Sequence, residues 1–514
     1  MRGVITVARF LLRSSAIFDS NAGVTYPGYV AVEGDRILSV GEGDGGELVE
    51  GDTEVIDLGD KLVTPGLVDA HCFFNGWLLQ HYGADLSEAS TIEDAIGILR
   101  SSRHTDFLVG HGLPVDLAGV EESVIDAAFG DLPTVLVCVG AEEMVMNTAA
   151  EDRFGFTPSA CWSEKAYRLL KAVMEDSEEA TRLYRQYMRM MNSYGVTSTK
   201  EIGYDDTWFF DQARDLEEAG ELTLRVSVMS QPVGRDADIE YGIRARESLE
   251  GDPMLSFSGY NQMTDGSISQ NEGEMKEPYL DFDGTCSMDI DWGHHKDEVR
   301  RAEEAGFRFS LHAQGDGAVA HALDIFEGCE RDEEGALRLR HAITDLEDAD
   351  PVDFERMARL GVIAEVYPLI QSIADREGKL SMIAEKIGQV RGSHYWNRRG
   401  LIDAGVTLAC ATDLPMTVDD LGEGVYCACG GYFPEGGESF NPQNMIAPAE
   451  LLAAWTKGGA YDLMREDELG TLEPGKLADL AVFDTNVLKT EPREARTCRC
   501  VLTVVGGKVV YDAR

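Results

Sequence analysis

Basic residues are scarce in this 514-residue chain: 45 Lys and Arg stand against 92 Asp and Glu, a formal net charge of −47 at pH 7. Phosphate backbones and anionic lipid headgroups repel such a surface, which argues against nucleic-acid binding and against a membrane-surface role. Proline is also scarce, with 16 residues, and 44% of the chain is hydrophobic, which excludes wholesale disorder. We therefore expect a globular protein of one or two domains.

Long apolar runs and paired metal-binding cysteines are also lacking. No run reaches the roughly 18 apolar residues of a membrane span, and no secretory cleavage signal follows the first residues, so we expect a cytoplasmic protein. The close cysteine pairs, Cys427 with Cys429 and Cys498 with Cys500, match neither a zinc ribbon nor a redox Cys-x-x-Cys motif. We expect the cysteines to be reduced and mostly buried.

Several common enzyme signatures are missing. The chain has no Gly-x-Ser-x-Gly elbow and no His-Glu-x-x-His helix. Residues 41–46 fit the spacing of a dinucleotide fingerprint, but the loop carries two carboxylates and no helical pattern follows it. Residues 470–476 resemble a phosphate loop, yet Leu477 stands where a Ser or Thr would contact magnesium. Both segments are interpreted as turns.

Short β-type runs separated by turn residues occupy both ends of the chain. The N-terminal runs are residues 4–7, 29–32, 36–40 and 54–57, and the C-terminal runs are 478–483, 500–505 and 508–511. We predict that the two ends, residues 1–62 and 464–514, complete one small β-sandwich domain.

The middle of the chain, residues 63–463, alternates apolar β-rich runs with segments of helical periodicity. The predicted strands include 133–139, 308–312 and 406–410, and the predicted helices include 181–191, 295–305 and 351–360. This alternation favours an α/β fold with a parallel sheet, closed as a (β/α)8 TIM-type barrel. A segment at about 77–190 is interpreted as an insertion around the second strand, and we expect it to cover the mouth of the barrel.

Polar residues suited to metal-assisted hydrolysis follow several predicted strands: His71, the pair Lys200 and Glu201, His312, His341 and Asp413. Imidazole and carboxylate bind zinc or iron, and a metal with an open position makes water nucleophilic near neutral pH. A neighbouring carboxylate accepts the proton of that water. A single strand-end His is more often structural, and Asp413 alone would also suit a helix cap. Their occurrence together favours one shared site.

Five segments give the chain a family resemblance: Leu62-Val63-Thr64-Pro65-Gly66-Leu67-Val68-Asp69-Ala70-His71, His312-Ala313-Gln314-Gly315-Asp316, Arg340-His341-Ala342, Thr412-Asp413 and residues 470–480. Together they resemble the amidohydrolase superfamily, and more narrowly its YtcJ-like branch, amidohydrolase family 3. The resemblance implies a metal-dependent barrel that hydrolyses C–N bonds of amides, cyclic amides or N-acyl compounds. It also implies that His71, His312 and His341 bind metal, and that Asp413 holds the metal and moves the proton.

Two departures from the family pattern concern the metal. Phe73 occupies the position of the second histidine of the family's His-x-His pair, and strand alternation aims residues 71 and 73 the same way. Asn261 stands where relatives often carry a lysine that bridges two metals. We therefore expect one divalent ion, with zinc first and iron or manganese as alternatives.

Further departures concern the pocket. Glu142 lies near the position of a frequent Asp-Gly-His motif, so we assign Glu142, Phe73 and Asn261 to substrate binding. Lys200 and Glu201 end what we take as the third barrel strand. They are interpreted equally as catalytic or substrate-contacting groups and as a strand-end ion pair.

Two hypotheses remain open at this point. The first is a mononuclear metal hydrolase with His71, His312, His341 and Asp413 as ligands and a small-molecule substrate. The second is a divergent barrel that has lost its metal and acts as a metal-free enzyme or a ligand-binding protein, as Phe73 and Asn261 suggest. In either case, the family resemblance suggests a homodimer.

Overall fold

The computed structural model describes residues 9–51, 53–102, 105–140, 143–158, 166–203, 210–232, 235–418 and 420–514. The predicted run at 4–7 and Glu142 lie outside these residues. Twenty strands are present in the described residues: β1 Arg9–Asp19, β2 Val24–Glu33, β3 Arg36–Glu42, β4 Glu54–Asp57, β5 Leu62–Pro65, β6 Leu67–Cys72, β7 Ala84–Asp85, β8 Leu108–Leu113, β9 Thr134–Cys138, β10 Met144–Met146, β11 Val196–Gly203, β12 Arg225–Ser230, β13 Leu255–Gln262, β14 Arg308–His312, β15 Ala342–Thr344, β16 Ile363–Val366, β17 Leu408–Cys410, β18 Leu480–Phe483, β19 Cys500–Val505 and β20 Lys508–Asp512.

The helices mostly cover the strands on the outside. They are α1 Phe74–Leu79, α2 Ile92–Ser101, α3 Glu122–Phe129, α4 Thr148–Phe154, α5 Tyr167–Glu175, α6 Ser177–Ser193, α7 Phe210–Glu218, α8 Ile239–Ser248, α9 Trp292–Glu304, α10 Asp316–Phe326, α11 Pro351–Leu360, α12 Arg376–Lys386, α13 Gly388–Gly392, α14 Arg398–Ala404, α15 Leu421–Gly424, α16 Pro448–Ala453, α17 Gly459–Asp462 and α18 Pro492–Ala495. Within the described part of the chain, no helix is both long and apolar enough to cross a membrane.

Helix boundaries follow local chemistry that can be read in the sequence. Helix α11 starts where the Asp350 side chain accepts a hydrogen bond from the backbone N–H of Val352, with Pro351 in the first turn. The helix ends at Gly361, whose φ of 69° suits a residue without a Cβ. These signals explain why the predicted helix at 351–360 is confirmed residue for residue.

Eight parallel strands form the barrel, in the order β6, β11, β12, β13, β14, β15, β16, β17. The two ends of this order meet because the backbone N–H of Asp413 donates to the carbonyl of His71 at 2.8 Å and because Cys72 bridges to Leu414. The predicted (β/α)8 barrel is therefore confirmed. The same hydrogen bond that closes the barrel brings two predicted site residues together.

One strand assignment from the sequence is wrong. The run at 133–139 does not enter the barrel, because its strand β9 lies in a separate four-stranded sheet of order β10, β9, β8, β7. That sheet packs against α2 and α3 around its own apolar core, which includes Leu86, Leu99 and Ile125. Lys200 and Glu201 consequently lie on β11, the second barrel strand, and not at the end of a third strand.

Strands from both chain ends form the third sheet, of order β20, β19, β18, β5, β1, β2, β3, with β4 beside β1. A distinct apolar core that includes Leu12, Val30, Val63 and Val482 holds these strands together. The predicted small β-sandwich domain built from both termini is thus confirmed as part of the fold.

A buried ion pair joins this domain to the barrel. Arg225, at the start of β12, donates to both carboxylate oxygens of Asp479 at 2.7 and 2.9 Å, and both side chains are at most 4% exposed. Asp479 also accepts the backbone N–H of Gly506. The pair is therefore the polar anchor between the two units.

We expect Asp479→Ala to destabilise the protein by about 3–5 kcal/mol, because it leaves the Arg225 guanidinium buried without its counter-charge. Urea denaturation followed by circular dichroism measures this loss. The matched control is Asp297→Ala, which removes an exposed carboxylate 3.8 Å from Arg300 and should leave the midpoint nearly unchanged. Equal midpoints for both variants would contradict the anchoring role.

Candidate functional site

A cavity of about 500 Å3 lies at the carboxyl ends of the barrel strands. Its lining includes one residue at or just after each of six strands: His71, Asn261, His312, Asp345, Tyr367 and Asp413. Active sites of such barrels lie at this end. No described residue of the segment at 77–190 lines the cavity, and the expectation that this segment covers the mouth stays a prediction.

Two histidines and two carboxylates face one another in the cavity. His71 Nε2 lies 3.7 Å from Asp413 Oδ1, and His312 Nε2 lies 3.8 Å from Asp345 Oδ2. Asp413 and Asp345 both adopt left-handed backbone conformations, with φ of 50° and 63°. Such conformations are uncommon outside glycine and recur at functional sites, where the surrounding structure enforces them.

A second carboxylate lies behind each histidine. His71 Nδ1 is 3.2 Å from Glu365 Oε2, and His312 Nδ1 is 3.2 Å from Asp265 Oδ1. Asp265 is itself held by the backbone N–H groups of Gln314 and Gly315. A carboxylate at Nδ1 fixes the imidazole so that its Nε2 lone pair is free, which is how metal-binding histidines are commonly oriented.

The electrostatics of the cavity show an excess of negative charge. Burial and the neighbouring Asp345 carboxylate raise the pKa of Asp413 to about 8. Desolvation alone would lower the pKa of His312, but the charge of Asp345 and the contact with Asp265 raise it to about 9. Burial likewise opposes the charged form of His71, but Glu365 and Asp413 raise its pKa. The site thus favours taking up positive charge.

Lys200 does not reach the cavity but lies in the barrel interior, fully buried, in a four-charge cluster. Its Nζ is 2.5 Å from Glu365 Oε1 and 2.7 Å from Asp462 Oδ2, and Arg308 Nη2 is 2.7 Å from Asp462 Oδ1. Two cations balance two anions, and the Lys200 charge is a main reason that the pKa of Glu365 falls to about 2 despite burial. Glu365 therefore stays ionised and accepts the Nδ1 proton of His71.

Glu201 faces away from Lys200, as strand alternation requires. The Tyr187 hydroxyl donates to its Oε1 at 2.5 Å, and the backbone N–H of Phe74 donates to its Oε2 at 3.0 Å. Glu201 does not line the cavity. The two side chains thus form no ion pair with each other, and neither contacts the pocket.

The structure does not bring His341 to the site. His341 precedes β15 and points outward, where its ring stacks on Phe326 at 5.0 Å between ring centroids. Its Nδ1 accepts the backbone N–H of Phe309 at 2.9 Å, so a neutral ring carries its proton on Nε2, 3.7 Å from Glu303. Burial lowers the pKa of His341 and favours that neutral ring. His341 therefore lies outside the cavity that His71 and His312 line.

The remaining predicted residues have mixed outcomes. Phe73 lines the cavity, with its ring 5.3 Å from the His71 ring between centroids. Asn261 also lines it, donates to Gln231 at 2.7 Å, and leaves its Oδ1 without a hydrogen-bond partner. Glu142 lies outside the described residues.

Sequence reasoning missed Asp345, Glu365 and Tyr367. Asp345 directly follows the short strand β15, and the Tyr367 hydroxyl donates to it at 2.9 Å. Glu365 is a carboxylate within the apolar run Ile363–Val366, and it is fully buried. A charge inside an apolar strand is the signal that could have identified it.

Among the described residues, two sets of ligand atoms lie within 4.8 Å of one another: Glu303, Cys329 and His341, and Asp236, His294 and Glu298. The first uses His341 Nε2, which carries the proton, and in the second Arg301 already contacts Glu298 and Asp236. His71, His312, Asp345 and Asp413 approach as two pairs and not as one such set.

Comparison with known proteins identifies the family. The model of the amidohydrolase family matches residues 54–511. The chain belongs to the amidohydrolase family. It is 22% identical to the protein LONG AFTER FAR-RED 3 of Arabidopsis thaliana, over 98% of this chain and 92% of the relative. It is 23% identical to an N-substituted formamide deformylase of Arthrobacter pascens, over 94% of each chain.

A solved structure supports the fold. A metal-dependent hydrolase of uncharacterized activity from Pyrococcus furiosus superimposes with a TM-score of 0.74 at 21% identity, over 94% of this amidohydrolase and 100% of that chain. The expected resemblance to amidohydrolases is confirmed.

The donor types in the cavity suit a divalent cation, and the two pairs would have to move closer together to bind one ion. Two imidazole Nε2 atoms and two carboxylates supply a donor set suited to zinc, iron or manganese. The raised pKa of Asp413, caused by burial and by the Asp345 carboxylate, is in keeping with a site that takes up a cation. The candidate ligands in this amidohydrolase are therefore His71, His312, Asp345 and Asp413.

The different placements of His312 and His341 predict different effects on metal content. We expect wild type to be purified with a bound divalent metal and His312→Ala to lose it, because the variant removes a cavity donor. His341→Gln should keep that metal and lower only the unfolding temperature. Metal per chain is measured by plasma emission spectrometry after purification without chelator. Metal lost from the His341 variant and kept in the His312 variant would contradict this assignment.

The environment of Glu201 predicts that the free energy of unfolding of the protein depends on pH. Burial raises its pKa from 4.5 to about 7, so the protonated form suits the fold better than the ionised form. The stability that the proton contributes is present below pH 4.5 and is lost as the pH rises through about 7, by roughly 3 kcal/mol. Glu201→Gln removes this dependence.

Urea unfolding of wild type and Glu201→Gln at pH 5 and pH 8 tests this pH dependence of stability. Wild type should lose stability relative to the variant as the pH rises. Parallel stability curves for the two proteins would refute the buried, proton-binding role of Glu201.

Proposed function

We propose that this amidohydrolase is a metal-dependent hydrolase that cleaves a C–N bond of a small amide-type molecule, with one metal ion in the cavity. The observation that carries the proposal is the convergence of His71, His312, Asp345 and Asp413 at the carboxyl ends of four barrel strands. The formamide deformylase relative suggests N-substituted formamides as the first substrates to test.

A divalent ion, when bound, polarises the substrate carbonyl and makes water a stronger nucleophile at neutral pH. The protein's own contribution begins with His71, whose Nδ1 is hydrogen-bonded to Glu365 so that Nε2 faces the cavity, and with His312, whose Nδ1 lies 3.2 Å from Asp265. Asp413 accepts a proton from the attacking water and passes it to the leaving nitrogen. The amide and one water thus yield a carboxylic acid and an amine.

Asp413 suits this proton transfer because its carboxylate opens into the cavity, with its side chain 23% exposed, and lies opposite His71. Tyr367 donates to Asp345 and keeps that second carboxylate in place. Phe73 adds an apolar surface beside His71, which limits the access of bulk water.

The second candidate function is a metal-free activity or ligand binding in the same cavity. Phe73 and Asn261 favour it, because both occupy positions where relatives carry ligands. The two ligand pairs also do not form one compact set of donors. Activity that persists after exhaustive chelation would favour this candidate over hydrolysis with a metal.

We expect Asp413→Asn to lower kcat on an N-substituted formamide by about 10³-fold with little change in KM, because the amide cannot accept the proton. Release of formate is the measurement. The control Asp403→Asn changes an exposed carboxylate that pairs with Arg399, and it should keep full activity. Dialysis against chelator should abolish wild-type activity, and added zinc should restore it. Undiminished activity of Asp413→Asn would contradict the proposal.

A further inference from the structure

Arg398 is a buried cation without an anionic partner in the described structure. It is the first residue of α14, lines the cavity and is 2% exposed. Its Nη2 donates to the backbone carbonyl of Tyr367 at 2.8 Å, and its Nη1 has no hydrogen-bond partner. No described carboxylate pairs with its guanidinium, whose pKa is lowered by burial.

Other buried arginines of this chain show the contrast. Arg308 and Arg225 are as deeply buried, and each donates to a carboxylate, Asp462 and Asp479 respectively. A buried guanidinium stays charged, and leaving it without a counter-ion costs several kcal/mol. Only Arg398 among these three faces the cavity. An anion that enters the cavity can therefore reach the guanidinium of Arg398.

A second unpaired donor lies in the same turn. Trp396 lines the cavity and is 3% exposed, and its indole Nε1 has no hydrogen-bond partner. Its backbone φ of 51° is an uncommon value for a bulky residue. Both orphan donors belong to residues that line the cavity, so an acceptor that enters the cavity can satisfy them.

The nearby cation Lys379 is already engaged. Its Nζ lies 3.3 Å from Glu347 and 5.0 Å from the centre of the Trp396 ring. Lys379 and Glu347 therefore balance each other, and one positive charge, that of Arg398, remains uncompensated on this wall of the cavity.

We propose that Arg398 binds an anionic group of the substrate, so that the physiological substrate is an amide that also carries a carboxylate, as an N-acyl amino acid does. This inference rests on the proposed hydrolase function and names its substrate class. The Trp396 indole supplies an additional neutral donor to the same carboxylate. Guanidinium and carboxylate are complementary in shape and charge, and water exclusion strengthens their pairing.

Binding is tested first, without hydrolysis, by thermal unfolding and calorimetry with isocaproate and its neutral counterpart isocaproamide. Wild type should bind isocaproate, which should raise its unfolding temperature. Isocaproamide should bind more weakly and raise the unfolding temperature less. Arg398→Met should weaken isocaproate binding at least 10-fold. Arg399→Met is the matched control, since Arg399 pairs with Glu450 and Asp403 outside the cavity, and it should bind like wild type.

The Met variant removes an unpaired buried charge, so we expect it to fold. Arg398→Lys, which keeps the charge, provides a second variant and should retain part of the isocaproate affinity. Equal binding of isocaproate and isocaproamide by wild type would overturn the inference without any variant. Equal stabilisation by inorganic phosphate or chloride would mean an adventitious ion only and would also overturn it.

Turnover is tested with N-formyl-leucine and N-formyl-isoamylamine, which differ only in the carboxylate. Wild type should show at least 10-fold higher kcat/KM for N-formyl-leucine, and Arg398→Met should raise KM for N-formyl-leucine at least 10-fold more than it raises KM for N-formyl-isoamylamine, so that the preference is lost. Equal losses on both substrates would overturn the inference. Hydrolysis of both at equal rates would overturn it and leave the proposed function intact. Arg398-dependent carboxylate binding without any hydrolysis would support it and contradict the proposed function.

Discussion

The balanced cluster of Lys200, Arg308, Glu365 and Asp462 inside the barrel is the interaction on which the site depends. Its four members come from β11, β14, β16 and the end of α17, and all are at most 1% exposed. Charges buried this deeply are tolerated only when they are paired with good geometry. Because the cluster is balanced, Glu365 remains an anion and holds the Nδ1 proton of His71.

Barrel closure supplies the second constraint. The backbone hydrogen bond from Asp413 to His71 joins the last strand to the first, so the pairing that completes the fold also sets the distance between these side chains. Asp69 strengthens this seam, since its carboxylate accepts both the backbone N–H and the hydroxyl of Thr412. Fold and site are thus specified by the same contacts, which explains how residues 342 positions apart form one centre.

The sequence predicts the barrel and part of the site for a physical reason. His71, His312 and Asp413 each follow an apolar run, and the ends of parallel strands converge whatever their separation along the chain. His341 precedes a strand of only three residues. So short a run does not show whether a residue beside it points into the barrel or outward. Glu365 acts on His71 across 294 residues, a pairing that no local pattern contains. The apolar run of β9 likewise does not reveal which sheet it joins.

Anomalous X-ray diffraction at the zinc edge, from crystals of the zinc-loaded protein, tests the central claim most directly. The account predicts one anomalous peak in the cavity, bounded by His71, His312, Asp345 and Asp413. A peak at Glu303, Cys329 and His341, or no peak in the cavity at full zinc loading, would contradict it.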